Sequence, residues 1–426
     1  MTGVVTPAPR WPALRSIIRR RIKASALEFQ APEKTGPRQM LVDVSVIIHQ
    51  DARTGIQRVV RALLGQLLTY HGPNLVVRPV FATRDHGYCV ATLDDDGNLL
   101  NTGLRSRSLQ PVAPKRGDVF LGLDLAAHVL PYTELDLARW RAGGVSINVM
   151  VYDLLPLLRP AWFPPRTHSK FKKWIDVLAR QADCCICISA DVAGNLAAEL
   201  RRRGHSVLPA MPIIPMGVDI TASRPSTGLP DDVSALRAWV RQHRALLCVG
   251  TVEPRKGHEQ LLKAFSNIWA TYPAEDVGLI VVGKPGWKTS KLQQALREHP
   301  EQGKRLIWLD QVSDEMLSEL YVTTAGLVAA SHGEGFGLPL AEALAHGAPV
   351  LARDIPVFRE VGAGHFDYFV DDRPEALAAR IMQWLEQARR PSASVTQAQP
   401  RWSDSARVLA DILGLPEPAI RATHGV

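Results

Sequence analysis

Short apolar runs alternate with stretches of helical periodicity along most of the chain. Residues 40–48, 75–81, 119–123, 146–152 and 184–189 are largely apolar and rich in Val, Ile and Leu, with helix-like segments between them. Strands buried on both faces and joined by helical crossovers read this way, so the pattern predicts a mostly parallel sheet. Its first unit is legible in detail. Met40 to Ile48 predicts a strand, Asp51 to Gly55 a turn, and Ile56 to Thr69 a helix with apolar residues at helical spacing. Between Pro212 and Pro230 the periodicity lapses into Pro, Gly, Ser and Asp, the composition of a connection. A second series follows, with strands at Ala245–Val249, Val277–Val282, Arg305–Leu309, Ala325–Ala330 and Pro349–Ala352, and a helix over His258–Ala270.

The prediction is therefore an α/β protein of two Rossmann-like, doubly wound domains facing each other across a cleft. Residues 39–215 form the first domain, 216–230 the linker and 231–400 the second domain. Residues 1–38 are a Pro-rich basic arm. Residues 401–426 hold a last helix, near Ser403 to Leu413, that can cross back to the first domain, and a tail. Length agrees, because 426 residues exceed what one hydrophobic core usually organises. With 46% hydrophobic and 22% charged residues, global disorder is excluded.

No apolar stretch reaches the roughly 18 residues of a membrane span, and the N-terminus lacks the pattern of a secretory signal, so a cytoplasmic protein is expected. Cys184, Cys185 and Cys187 lie in one apolar run and suit neither a disulfide framework nor a metal-ligand spacing. A formal charge of +8 favours anionic partners without choosing among them. Part of it is local: Arg15, Arg19, Arg20, Arg21 and Lys23 alternate with Leu14, Ile17, Ile18 and Ile22. That segment reads either as a solvated tail or as an attachment to the inner, anionic face of the plasma membrane.

The chemistry concentrates in two loops of the second half. Ser331-His332-Gly333-Glu334-Gly335-Phe336-Gly337-Leu338-Pro339 follows an apolar strand and runs into Leu340-Ala341-Glu342-Ala343. Gly335 and Gly337 let backbone amides approach a ligand, and Pro339 suits the first turn of a helix, whose N-terminus attracts phosphate. Glu334 lies on the loop and Glu342 about two turns onward. Carboxylates accept hydrogen bonds from sugar hydroxyls, so one can orient a hexose and the other a ribose. The second loop, Val249-Gly250-Thr251-Val252-Glu253-Pro254-Arg255-Lys256-Gly257, offers a guanidinium fork and a point charge, both suited to a pyrophosphate.

Two glutamates separated by seven residues, with that basic loop, resemble the retaining GT-B glycosyltransferases of family 4. The likeness extends over about residues 40–415 through Asp51 to Arg58, Tyr152-Asp153-Leu154-Leu155-Pro156, Pro215 to Asp219, Gly283 to Trp287 and Ile355 to Val361. The combination of Thr54-Gly55-Ile56-Gln57-Arg58 with Gly283 to Trp287 and Ile355 to Val361 resembles the mannosyltransferase-type branch that builds bacterial surface polysaccharides.

The resemblance implies a hexosyl transfer from a sugar-nucleotide, with GDP-mannose the first choice, to a glycan or lipid-linked oligosaccharide. Glu334, Arg255, Lys256 and Asp153 become the catalytic candidates. Gly55, Gly250, Gly335, Phe336, Gly337, Leu338 and Glu342 become the donor-binding ones. Two departures stand out: Thr251-Val252 replaces an arginine many members carry after the loop glycine, and Tyr152 replaces a histidine beside Asp153. No cofactor, metal or nucleic acid is expected. His332 and His346 lack completing ligands, and Asp94-Asp95-Asp96 before Gly97-Asn98 reads as a hairpin loop. The alternatives are an epimerase or phosphorylase on the same scaffold, or a noncatalytic glycan- or nucleic-acid-binding protein.

Overall fold

A computed structural model of the chain describes residues 36–49, 51, 53–82, 87–95, 97–100, 109–223 and 225–417. The amphipathic segment of residues 14–23 lies outside the described residues. The first sheet comprises β1 (Arg38–Asp43), β2 (Leu75–Phe81), β3 (Cys89–Val90), β4 (Val119–Gly122), β5 (Ser146–Val151) and β6 (Cys184–Cys187), in the order β3-β2-β1-β4-β5-β6. All neighbours pair parallel except β3, which runs antiparallel to β2 at the edge.

The second sheet comprises β7 (Arg244–Val249), β8 (Val277–Val282), β9 (Leu306–Leu309), β10 (Gly326–Ala329), β11 (Val350–Arg353) and β12 (Asp367–Phe369), in the order β12-β11-β10-β7-β8-β9. Every pair in it is parallel. Counted from its own first strand, each sheet has the order 3-2-1-4-5-6 of the Rossmann fold, here in two copies. The strand order reverses between β1 and β4 and between β7 and β10. Ligands of open α/β sheets bind beyond the carboxyl ends of the strands at that reversal.

The apolar run Met40 to Ile48 is not all strand, because β1 ends at Asp43 and residues 45–49 turn. Local carboxylates explain the break. Asp124 accepts from the amides of Val46 at 2.9 Å and Ile47 at 2.7 Å, and Asp43 accepts from the amide of Ser45 at 2.9 Å. These bonds satisfy buried backbone donors that a strand would have paired across the sheet. The following helix, Gly55–Leu68, starts from a capping box in which Thr54 and Gln57 serve each other's amides, and buries Val59, Leu63 and Leu67.

The described cysteines are buried free thiols. Asp94 accepts from the amides of Gly97 and Asn98 in a tight turn between bridged Leu93 and Leu99, the expected hairpin. No helix among the described residues is long and apolar enough to cross a membrane.

The helix Trp402–Ile412 returns to the first half, where Trp402, Ala406, Leu409 and Ala410 join its core. Its start is pinned at the connection between the halves. Asp219 accepts from the Trp402 amide at 2.7 Å, and the Ser405 hydroxyl accepts from the Gly217 amide at 2.9 Å. A Cβ on Gly217 would stand 2.6 Å from the Trp402 Cα, so only glycine fits beneath this backbone. We expect Gly217→Ala to destabilise the protein by about 1–3 kcal/mol, the usual cost of overpacking. Thermal unfolding should show the drop; an unchanged midpoint would mean the helix is not held there.

Candidate active site

The loops after β7 and β10 leave the second sheet at its reversal point, and they bring Arg255, Lys256 and Glu334 together. The Glu334 carboxylate is 9% exposed and pairs with the Arg255 guanidinium on one oxygen and with Lys256 Nζ at 2.5 Å on the other. Arg255 also bonds Glu253 Oε1 at 2.7 Å and the Gly333 carbonyl at 3.1 Å. Burial alone would push the Glu334 carboxyl up, but Arg255 and Lys256 outweigh it and hold the group down to about 2. It is a fixed acceptor at neutral pH.

Asp153, from the loop after β5, faces this cluster from the first half. Burial raises its pKa above the ordinary carboxylate value, opposed by Arg255, by a bond from the Leu155 amide at 3.0 Å and by Lys256, while Glu334 adds to the rise. Catalytic candidates read from different loops thus form one electrostatic group. Tyr152 does not join it, because its hydroxyl donates to the Leu123 carbonyl at 2.6 Å inside the first core. Its carbonyl lies against Gly335, where even a methyl group would collide with it, and the Ser189 hydroxyl donates to the Gly335 carbonyl at 2.8 Å.

The glycine loop therefore meets the first half closely. Gly337 caps the helix Leu338–Ala345, with Pro339 in its first turn. Phe336 and Leu338 pack against the first half's core, and Leu338 Cδ1 lies 3.8 Å from where a Gly55 Cβ would stand. Their side chains serve the contact between halves. Gly250 carries the stem of Lys256, whose Cε is 3.1 Å from the position of a Cβ there.

Glu342 sits in a second ionic group, 3% exposed. Arg58, from the helix Gly55–Leu68, reaches across the cleft to pair with both Glu342 and Asp314. The Tyr321 hydroxyl donates to Glu342 Oε2 at 2.9 Å. Asp314 is held in turn by the amide of Ser226 at 2.8 Å and by its hydroxyl at 3.0 Å. None of Arg58, Asp314 and Tyr321 was a candidate on sequence grounds. Arg58 closes a recognised motif, but nothing in its surroundings along the chain marks the partners it finds.

Among the described residues no three His, Cys, Asp or Glu side chains converge as a metal site. His332 is half-buried near Asp372, and His346 bonds the Glu342 carbonyl through Nδ1 at 2.8 Å. His258, the first residue of the helix His258–Thr271, is different: it is 3% exposed, and neither ring nitrogen has a partner. It lines a narrow crevice with Lys256, Ser331 and Glu334. Burial, reinforced by Lys256, lowers its pKa to about 3, so the ring is neutral.

Two sheets of identical Rossmann order, facing loops at their carboxyl ends and a carboxylate-cation cluster between them define a GT-B glycosyltransferase scaffold. Residues 238–401, most of the second half, match the family model for glycosyl transferases group 1. It is 38% identical over 397 residues to the serotype-specific mannosyltransferase WbdA of Escherichia coli, covering 91% of this chain and 48% of that protein. The chain spans about half the length of the curated relatives of this kind that it matches.

Among solved structures, the N-terminal domain of Candida albicans trehalose-6-phosphate phosphatase superposes with a TM-score of 0.60 at 16% identity, covering 91% of this chain and 99% of that one. The sucrose-phosphate synthase of Thermosynechococcus elongatus gives 0.57 at 16% identity, covering 89% and 96%. At such identity the likeness is one of fold.

The neutral His258 has a measurable consequence. Its folded value lies below the ordinary 6.5, so as pH falls the unfolded chain binds the proton first and stability declines from pH 6.5 toward 3. His258→Met should flatten this part of the stability profile. Urea titrations of both proteins across that range test it, and parallel curves would refute the buried neutral imidazole.

Proposed function

We propose that this chain is a retaining hexosyltransferase that moves mannose from GDP-mannose onto a lipid-linked or oligosaccharide acceptor of a surface polysaccharide. The observation that carries the proposal is the buried, ionised Glu334 held by Arg255 and Lys256 at the reversal point of the second sheet, opposite Asp153. The likeness to the mannosyltransferase WbdA supports the sugar.

In this assignment the donor's diphosphate lies against Arg255, Lys256 and the amides after Glu334, and its ribose against Glu342. Before the donor enters, Glu334 and Glu253 neutralise the two cations. A diphosphate arriving there shares those cations, and they stabilise the negative charge that grows on it as the glycosidic bond breaks. Glu334, acceptor-only, takes hydrogen bonds from hexose hydroxyls. The first half presents the acceptor, with Asp153 at the sugar. Retention follows if the acceptor oxygen attacks from the face the diphosphate leaves, that phosphate taking the acceptor's proton. No covalent enzyme intermediate is then required. A closed cleft limits loss of the sugar to water.

Incubation with radiolabelled GDP-mannose and lipid-linked oligosaccharide should transfer label with the α-configuration kept, as read by NMR of the product. Transfer by this route needs no metal, so activity should survive EDTA. Glu334→Gln should lower kcat by about 100-fold or more, the scale of losing one preorganised polar contact to the transition state, and should also lower the thermal midpoint, because Arg255 and Lys256 lose the charge of a buried partner. Full turnover by the folded variant would remove Glu334 from the chemistry, and a product of opposite configuration would reject retention.

A further inference from the structure

Arg58 belongs to the first half, yet its charge is spent entirely on the second. Its side chain is 14% exposed, and the guanidinium divides its fork between Glu342 and Asp314, whose side chains are 3% and 10% exposed. Its anchoring is firm at both ends. Asp314 is fixed by Ser226, from the connection between the halves, and Glu342 by Tyr321. We propose that Arg58 is a positioning residue of the donor site, orienting the Glu342 carboxylate across the cleft so that the ribose of a sugar-nucleotide finds a preset acceptor. This rests on the assignment of Glu342 to the ribose made above.

The stereochemistry permits both partners at once. An ionised carboxylate has roughly four lone-pair sites. Arg58 occupies one on Oε1 and Tyr321 one on Oε2, which leaves acceptor capacity on each oxygen for the two ribose hydroxyls. Without Arg58, Glu342 and Asp314 would be buried carboxylates with no shared cation, a costly arrangement that relaxes by rotation or protonation. Either response spoils the acceptor. The donor site is then complete only while the two halves are closed, because one of its supports comes from the opposite sheet. Lysine cannot replace the function fully, since a single ammonium does not fork between two carboxylates.

The test is steady-state kinetics with GDP-mannose as donor, together with calorimetric titration of GDP. Arg58→Ala should raise the donor KM and the GDP Kd by about 10-fold or more while kcat falls much less, the pattern of lost ground-state binding. Arg58→Lys should recover part of the affinity, and it stands in should the alanine variant fail to fold. In a double-mutant cycle with Glu342→Gln, the losses in donor affinity should be strongly non-additive, because Arg58 acts through Glu342. Losses that multiply independently, a fall in kcat at unchanged KM, or unaltered affinity in a folded Arg58→Lys protein would each overturn the inference. A wild type that binds neither GDP nor GDP-mannose would instead overturn the donor assignment, and the role of Arg58 with it.

Discussion

A carboxylate taken out of water must be compensated, and Glu334 is compensated twice. Desolvation would neutralise it in a buried loop, and chiefly the adjoining charges of Arg255 and Lys256, with a hydrogen bond from Ser331, keep it ionised. This requirement shapes its surroundings. The β7 and β10 loops must converge, which adjacent parallel strands at a sheet reversal allow, and the cations must point inward instead of to solvent. Glu253 and Asp153 add two further carboxyl groups beside the two cations, and burial raises the pKa of each.

The same loops join the two halves. Gly335 touches Tyr152, Ser189 bonds the Gly335 carbonyl, and Glu360 of the second half accepts from the amides of Ala190 and Asp191 at 2.7 and 3.2 Å. Those amides open the helix Ala190–Arg202, where a carboxylate satisfies donors that have no partner within the helix and complements its dipole. On the opposite rim the Trp287 indole donates to the Trp162 carbonyl at 2.7 Å, and Lys288 to the Ala161 carbonyl at 2.8 Å. The cleft is thus bounded by directional polar contacts more than by a continuous apolar seam. Contacts of this kind can be remade with water when the halves separate.

Much of this was legible in the chain. β2 and β8 occupy the residues that the apolar runs indicate, and the other predicted strands of both sheets differ at their ends by a residue or two, apart from β1. β1 stops early because Asp43 and Asp124 supply acceptors to the next amides, and Asp124 is 78 positions from Val46. The edge strands β3 and β12 escape a reading based on buried runs, since they are only two and three residues long. Phe336 and Leu338, donor-binding candidates by resemblance, turn their side chains to the first core, a contact that no local pattern announces.

The sequence by itself determined the two parallel sheets, the loops that carry chemistry and the residue types able to hold a sugar and a diphosphate. These are local properties, written in periodicity and in short spacings. Tertiary structure alone decided which charges meet: Arg58 with Glu342, 284 positions apart, and Arg255 with Glu334, 79 apart. Ionic pairing depends on distance in space and on the exclusion of water: Arg255 meets Glu334 only once the second half has folded, and Arg58 meets Glu342 only once the two halves close upon each other.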